Sequence, residues 1–299
     1  MNNSLSAKHK KIRNEVTMWL LLLPLAIIMY LWVWRPTIMG MVWSTFKMKG
    51  YTPQEFIGLK NYIDVVTDTE FIPILFNTLK YVFWSLVVGF IPPIAIAIIL
   101  NELIHFKNTF RIIIYLPAVI PGVAANLMWY FMYYPDETGL LNKIIMSLGG
   151  QPYIWLNDPK FSILFIIISM TWHGFGSTMI LYYAALQSVP ADLYEAATID
   201  GAGILKKAFN ITLPQIGGVV LLSLVNQIIA VFQVLDQPMV MTGGGPNGAS
   251  TSIGYQLYKY GFVSGRTGHA MALGVIIFFI LLLMTIFYFR MNKKIEENY

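Results

Sequence analysis

Apolar residues collect along this chain in six long blocks, separated by stretches where charge, glycine and proline gather. About 20 mostly apolar residues carry a helix across a bilayer. By that measure the blocks predict six membrane spans, at 17–43, 77–100, 110–133, 161–186, 215–235 and 269–289. Arg35-Pro36 mark the outer part of the first, Pro92-Pro93 break the second, and Pro117 and Pro121 fall in the third. A basic stretch precedes the first block as in a signal peptide. The block is long for such a peptide and shows no small-residue cleavage site, so an uncleaved first helix is expected.

The connections differ in character. Residues 44–76 leave room for a short amphipathic helix near Leu59–Val66. Residues 134–160 read as a folded loop ending in Trp155-Leu156-Asn157-Asp158-Pro159. Residues 236–268 carry Gly243-Gly244-Gly245-Pro246, a turn signal without regular structure. The longest polar interruption of the second half is Ser188–Pro214, which predicts a helix–turn–helix elbow. Pro190 suits a first helical turn, with Ser188 or Asp192 as cap. Gly201 and Gly203 end that short helix, and Ile204–Thr212 form a second.

Composition agrees with the blocks. The chain is 57% hydrophobic and 12% charged, with mean hydropathy +0.62, against about a quarter charged residues in soluble domains. The net charge of +5 does not imply nucleic acid, because the basic residues are scattered between apolar blocks. Eleven of the 20 lysines and arginines, among them Lys8, Lys10, Lys11, Arg13, Lys206, Lys207, Arg290, Lys293 and Lys294, fall on the side shared by both termini and the elbow. The positive-inside rule therefore places both termini and the elbow in the cytoplasm.

Candidate chemistry is sparse. Glu102 and His105 share a helix face but lack a second ligand pair, so no metal site is expected. His173, inside the fourth block, keeps a minor functional reading, because polar groups in membrane helices usually face a pathway or a partner. The glycine run lacks the Lys-Ser/Thr of a phosphate loop, and no Asp or Glu lies inside any span, which disfavours an ion-coupled carrier. The spans do hold Asn126, Ser177, Ser223, Asn226, Gln227 and Gln233. Two readings stay open for these groups: hydrogen bonding between helices, or a wet path for a neutral polyhydroxylated solute. Such a path needs energy from a partner. Small Ala196 and Ala197 beside the Glu195 carboxylate suit the elbow to that contact, although a surface loop without a partner remains the alternative. A membrane enzyme finds no convergent acid, base or metal group.

Glu195-Ala196-Ala197, three residues, Gly201, nine residues and then Ile211-x-Leu213-Pro214 resembles the EAA motif of bacterial ABC-importer permeases. The run from Ala196 to Ala202 resembles their carbohydrate branch. So do Asn77-Thr78-Leu79, Leu116-Pro117, Trp155–Pro159 and Thr242-Gly243-Gly244-Gly245-Pro246, and the overall likeness is to maltose-type subunits. The resemblance implies an all-α, six-helix type I importer permease fold in the bacterial cytoplasmic membrane. Residues 1–72 would form the cytoplasmic N-terminus, first helix and external loop, 73–290 the transmembrane domain with its coupling loop at 188–214, and 291–299 a cytoplasmic tail. The implied partners are membrane lipid, a homologous second permease, an ABC ATPase dimer and an extracytoplasmic sugar-binding protein. No cofactor would bind this chain, because ATP and Mg²⁺ belong to the ATPase. Glu195, Ala196, Ala197, Gly201, Ile211, Leu213 and Pro214 would couple to that ATPase. Alignment with maltose-type subunits puts the sugar path at Ala118, Gly122, Met170, Gly174, Ser177, Gln227, Ala230, Val231 and Val234. A permease for glycerol phosphate or another small solute in the same family is the alternative cargo reading. A phosphorylated solute calls for Arg or Lys in the pathway, and the fourth and fifth spans contain none.

Overall fold

The computed structural model describes residues 2–103 and 105–296, without the side chains of 2–14 and 291–296, so Lys8, Lys10, Lys11, Arg13, Lys293 and Lys294 lie outside the described side chains. The helices are α1 (Asn2–Met29), α2 (Arg35–Trp43), α3 (Lys60–Val66), α4 (Phe71–Trp84), α5 (Ile91–Glu102), α6 (Lys107–Tyr115), α7 (Gly122–Met132), α8 (Leu140–Ser147), α9 (Ser162–Leu186), α10 (Ala191–Ile199), α11 (Ile204–Lys207), α12 (Leu213–Gln215), α13 (Gly217–Phe232), α14 (Ile253–Tyr258) and α15 (Thr267–Glu296). A hairpin of β1 (Phe46–Lys49) and β2 (Thr52–Phe56) is the one departure from an all-helical chain among the described residues. By packing, the chain forms two compact units, one of residues 1–65 and 260–276, the other of 66–259 and 277–299.

Proline sets where the long helices loosen. Wide π-type turns occupy Tyr30–Trp34, Ser85–Phe90 and Ala208–Thr212. Each contains the carbonyl that Pro36, Pro92 or Pro214, four residues on, cannot pair for want of an N–H. A ladder denied its i−4 bond slips to i−5 and stays helical.

Four helical stretches, Glu15–Trp43, Phe71–Glu102, Ser162–Leu186 and Thr267–Arg290, are long and apolar enough to cross a membrane. The third and fifth blocks are not single straight helices. Lys107–Val119 meets Gly122–Met132 at 93°, and Ile204–Gln215 meets Gly217–Phe232 at 78°, so the count is six only if each bent pair is one span. The first bend follows from Ile120-Pro121. Proline drives the residue before it out of the helical region, and Ile120 is extended with ψ 131°.

In the first unit β1 and β2 pair antiparallel with an irregularity between Lys47 and Met48. The buried Asn61 amide on α3 donates to the Ser44 and Phe46 carbonyls at 2.8 and 2.9 Å. A side chain at Gly268 would strike that amide, at 2.9 Å from a Cβ. His269 lies 3.7 Å from the Asp64 carboxylate. The short helix expected near 59–66 is present as α3; the hairpin before it was not expected.

In the second unit α9 is the central post. Its first half packs Ile163, Ile166 and Ile167 against Tyr81, Tyr133 and Val231, while its second half packs Met179, Tyr182 and Leu186 against Ala97, Leu100 and Ile216. The connection after α13 corrects the expectation of an irregular 236–268. It contains the π-type turn Pro238–Thr242 and α14, which Ser252 caps by accepting from the Tyr255 N–H at 3.0 Å. It is also stitched to α4. Asn77 donates to Gly248 O at 2.9 Å, the Tyr81 hydroxyl donates to Ser250 O at 2.9 Å, and Thr78 accepts from the Ile253 N–H at 3.0 Å. Ladder groups that a short loop cannot satisfy internally are met by this distant helix.

The loop at 134–160 is folded around Asn142, which has no exposed surface. Its amide donates to the carbonyls of Tyr134, Asp136 and Tyr153 at 3.2, 3.0 and 3.0 Å. Its oxygen accepts from the Tyr153 N–H at 2.9 Å and the Trp155 indole at 2.7 Å. The Tyr153 hydroxyl donates to Asp158, which also accepts from the Lys160 N–H. Those bonds hold the Asp158 carboxyl below its ordinary range, the Tyr153 bond first, and the same bond pushes the Tyr153 phenol up.

Candidate functional site

Two features draw together residues that the sequence singled out: the elbow between α9 and α13, and a cavity at the middle of α9. The elbow begins at Pro190, which sits at the N-cap of α10 rather than inside its first turn. No side chain caps this end, and the Ser188 hydroxyl turns back to the Ala185 carbonyl instead. The other end is closed by backbone alone. Gly201 is left-handed at φ +72°. The Gly201 N–H reaches Thr198 O at 3.0 Å and the Ala202 N–H reaches Ala197 O at 2.8 Å, the paired bonds of a Schellman cap. Nothing lies within 4 Å of a Cβ built at Gly201, so its conformation and not its size is what the turn requires. Gly203, by contrast, has φ −72° and is no left-handed turn residue. The Tyr194 hydroxyl and Thr212 Oγ1 lie 3.0 Å apart and clasp α10 to the stretch after α11.

Within the EAA-like run, Glu195, Ala196, Gly201 and Pro214 are exposed, while Ala197, Ile211 and Leu213 are half-buried. The sequence pattern marked this stretch as polar. Its surface is not: Ile199 is 87% exposed, Leu205 75% and Phe209 66%, with Leu193 and Ile204 also exposed. These side chains make an exposed apolar patch beside a well-closed backbone.

The cavity, of 110 Å³, lies between the two packed halves of α9. Met170, Gly174 and Thr178 line it at helical spacing, with Thr171 and Phe175 beside them. Ser85 and Gly89 reach it from the π-type turn ahead of Pro92-Pro93, and Gln227, Ala230 and Val231 from α13. Of the nine pathway positions, Met170, Gly174, Gln227, Ala230 and Val231 thus meet at one place. Ala118, Gly122, Ser177 and Val234 do not: Gly122 and Ser177 are exposed elsewhere, Ala118 is half-buried beside the α6–α7 break, and Val234 belongs to the core around Tyr81. Of the neutral polar groups in the fifth block, Gln227 lines the cavity while Ser223, Asn226 and Gln233 do not, Gln233 capping α13 instead.

Ser85, Gly89, Thr171 and Thr178 escaped the sequence reading. For Ser85 and Gly89 the nearest signal was the double proline, which widens the helix where they sit; Thr171 and Thr178, on α9, had none. A Cβ at Gly89 would come within 3.1 Å of the Gln227 amide and 3.2 Å of the Thr171 hydroxyl, so the glycine leaves both polar groups their room. No ionisable side chain lines the cavity. His173 sets Nε2 2.8 Å from the Ile120 carbonyl, at the break between α6 and α7. Gly176 permits the same junction, since a Cβ there would fall 2.4 Å from the Ile114 carbonyl.

Comparisons with known proteins fit this arrangement. Residues 82–297 match the model of the family described as "Binding-protein-dependent transport system inner membrane component". The trehalose/maltose transport system permease protein MalF of Thermococcus litoralis is 33% identical over 98% of this chain and 99% of its own length. The arabinooligosaccharides transport system permease protein AraP of Bacillus subtilis is 32% identical over 81% of this chain and 77% of its own. Among solved structures, a bacterial ABC transporter that imports the acidic polysaccharide alginate superposes with TM-score 0.85 at 26% identity, covering 95% of this chain and 98% of that one.

Proposed function

This chain belongs to the family of binding-protein-dependent transport system inner membrane components, and on that premise we propose that it is the permease subunit of an ATP-driven oligosaccharide importer. The observation that carries the reading is the elbow: a backbone-closed helix presenting Glu195, Ala196 and exposed Ile199, Leu205 and Phe209. A companion ATPase seats on that surface, with Glu195 paired to a cation and the apolar side chains buried. The elbow and both termini lie in the cytoplasm, in keeping with the basic residues collected on that side. ATP and Mg²⁺ stay on the ATPase, a homologous second permease completes the path, and an extracytoplasmic protein delivers the sugar. A solved alginate importer holds such a pentasaccharide-bound periplasmic protein. Closure of the ATPases moves the elbows together, and the permeases rock open on the opposite face as rigid bodies.

The cavity favours a neutral sugar. Ser85, Thr171, Thr178 and Gln227 offer hydroxyl and amide partners, and Met170 and Phe175 offer apolar walls for sugar rings. An acidic or phosphorylated solute calls for a cation, and none lines this half of the path. At 110 Å³ the cavity holds a portion of one sugar ring, so the second permease supplies further space and the binding protein supplies most of the selectivity.

The test is uptake by the reconstituted importer, with ATPase activity measured alongside. Glu195→Lys should abolish binding-protein-stimulated hydrolysis and uptake. Gln227→Ala should lower uptake of the accepted sugar. Should Gln227→Ala leave uptake of every accepted sugar unchanged while Glu195→Lys abolishes it, the cavity is not the path.

A further inference from the structure

A second concavity in the same unit matches neither the elbow nor the sugar path. Asn108, Arg111, Ile112 and Tyr115 of α6 and Ile180 of α9 line an open groove of 400 Å³. Both helices grade it in the same direction. On α6 the polar Asn108 and Arg111 come first and Ile112 and Tyr115 follow one turn on, along one face. On α9 Tyr183 stands at the polar end, three residues nearer the elbow than Ile180. The Arg111 guanidinium lies over the Tyr183 ring, 4.8 Å from its centroid, with the Lys107 ammonium 5.9 Å from the same ring. Lys107 also donates to the Asn101 carbonyl at 3.0 Å. Among the described residues no carboxylate pairs with either cation. Ile112 remains 69% exposed and Ile113 60%.

We propose that this groove binds one anionic phospholipid from the leaflet nearest the elbow. The phosphate sits against Arg111, Lys107 and Asn108, and an acyl chain runs along Ile112, Tyr115 and Ile180. Two cations without carboxylate partners at the head of an apolar channel match the order of groups in such a lipid. Cations near an anionic membrane surface gain about 1 kcal/mol each, or roughly fivefold in affinity. The Tyr183 ring preorganises both, since cation–ring contacts fix their direction before the lipid arrives. The site adjoins the foot of α9, where the elbow begins, so an occupying lipid would brace that end of the post.

The full-length chain, purified in detergent, is titrated with phosphatidylglycerol or phosphatidylcholine, and retained lipid is counted by native mass spectrometry. Phosphatidylglycerol should be kept in preference. Lys107→Ala and Arg111→Ala should each weaken it roughly fivefold, Arg111→Lys should weaken it less than Arg111→Ala, and Lys143→Ala should leave it unchanged. Ile180→Trp should expel the lipid with both cations intact, which keeps the proposal testable if Arg111→Ala fails to accumulate. Equal retention of the two lipids, or no loss on combining Lys107→Ala with Arg111→Ala, would overturn it. The chain has no cysteine, so a photo-cross-linker on Ile112→Cys reports the occupant directly. In membranes a lipid adduct supports the proposal, and an adduct to a neighbouring protein overturns it. Displacement by inorganic phosphate at matched concentration would likewise count against a lipid.

Discussion

The loop at 134–160 and the elbow at 188–214 are both connections between apolar helices, and they satisfy themselves in opposite ways. The loop turns inward. Asn142 uses both amide protons and its oxygen on five partners, and Trp155 packs against Tyr133 and Phe165 at 5.5 and 5.1 Å between centroids. The elbow closes through its backbone at Gly201 and a single side-chain pair, Tyr194 with Thr212, and leaves Ile199, Leu205 and Phe209 in the open. A segment that meets its own polar groups and buries its own rings is finished architecture. The loop too leaves Leu148 83% exposed, with Leu140 and Ile144, so the difference lies in the side-chain hydrogen bonds centred on Asn142, which have no counterpart at the elbow. The contrast separates two kinds of ordered loop that polarity alone does not.

The sharpest way to break this contrast is Asn142→Ala. It strands several buried donors and acceptors at once, each costing about 1–3 kcal/mol, so the loss should reach at least about 3 kcal/mol. Thermal unfolding of the purified chain reads it directly. Unchanged stability would mean that the loop is not held by that amide.

Elbow substitutions should behave the other way. Ile199→Asp should leave unfolding within about 0.5 kcal/mol, as surface changes do, while reducing ATPase stimulation and uptake in the assembled importer at least tenfold. Equal loss of stability and coupling would make Ile199 a structural residue. Gly201→Ala lies between the two regions. Forcing an alanine into a left-handed conformation costs about 1–2 kcal/mol, enough to fray α10 and lower coupling without unfolding the protein.

The smallest effect is the pH dependence of the loop. The Asp158 carboxyl is held below its ordinary pKa of about 4. Its contribution to stability is fully present above that value and is lost as pH falls through the depressed folded pKa. The Tyr153 phenol is raised by the same bond, so its contribution is present below about pH 10 and fades as pH rises above that. Asp158→Asn should flatten the acid limb of the unfolding profile. An unaltered limb would show that the bond does not form in solution.

Much of this architecture is local and therefore legible. The apolar blocks coincide with helices, because about 20 apolar residues in water-free surroundings satisfy their backbone groups only as a helix. The Gly201 turn follows from the absence of a Cβ, and the loosened turns ahead of Pro36, Pro92 and Pro214 follow from a missing N–H. The likeness of Asn77-Thr78 and of Thr242–Pro246 to one family was also visible, but not that α4 and the loop after α13 hold each other through Asn77, Thr78 and Tyr81. Nor did hydropathy foresee the 93° bend after Ile120 or the β hairpin. A window average weighs transfer from water and is blind to direction.

By itself, then, the sequence determined which segments are apolar enough to leave water, where glycine and proline bend them, and which motif the elbow carries, since each depends on residues within a turn or two. Tertiary structure alone decided that Gln227 and Thr171 both border the space Gly89 leaves, that His173 answers the Ile120 carbonyl at a broken helix, and that Asn142 is buried. It also decided that Ile199 faces outward. Those outcomes hang on partners far apart in the chain, whose meeting is set by packing that no local pattern encodes.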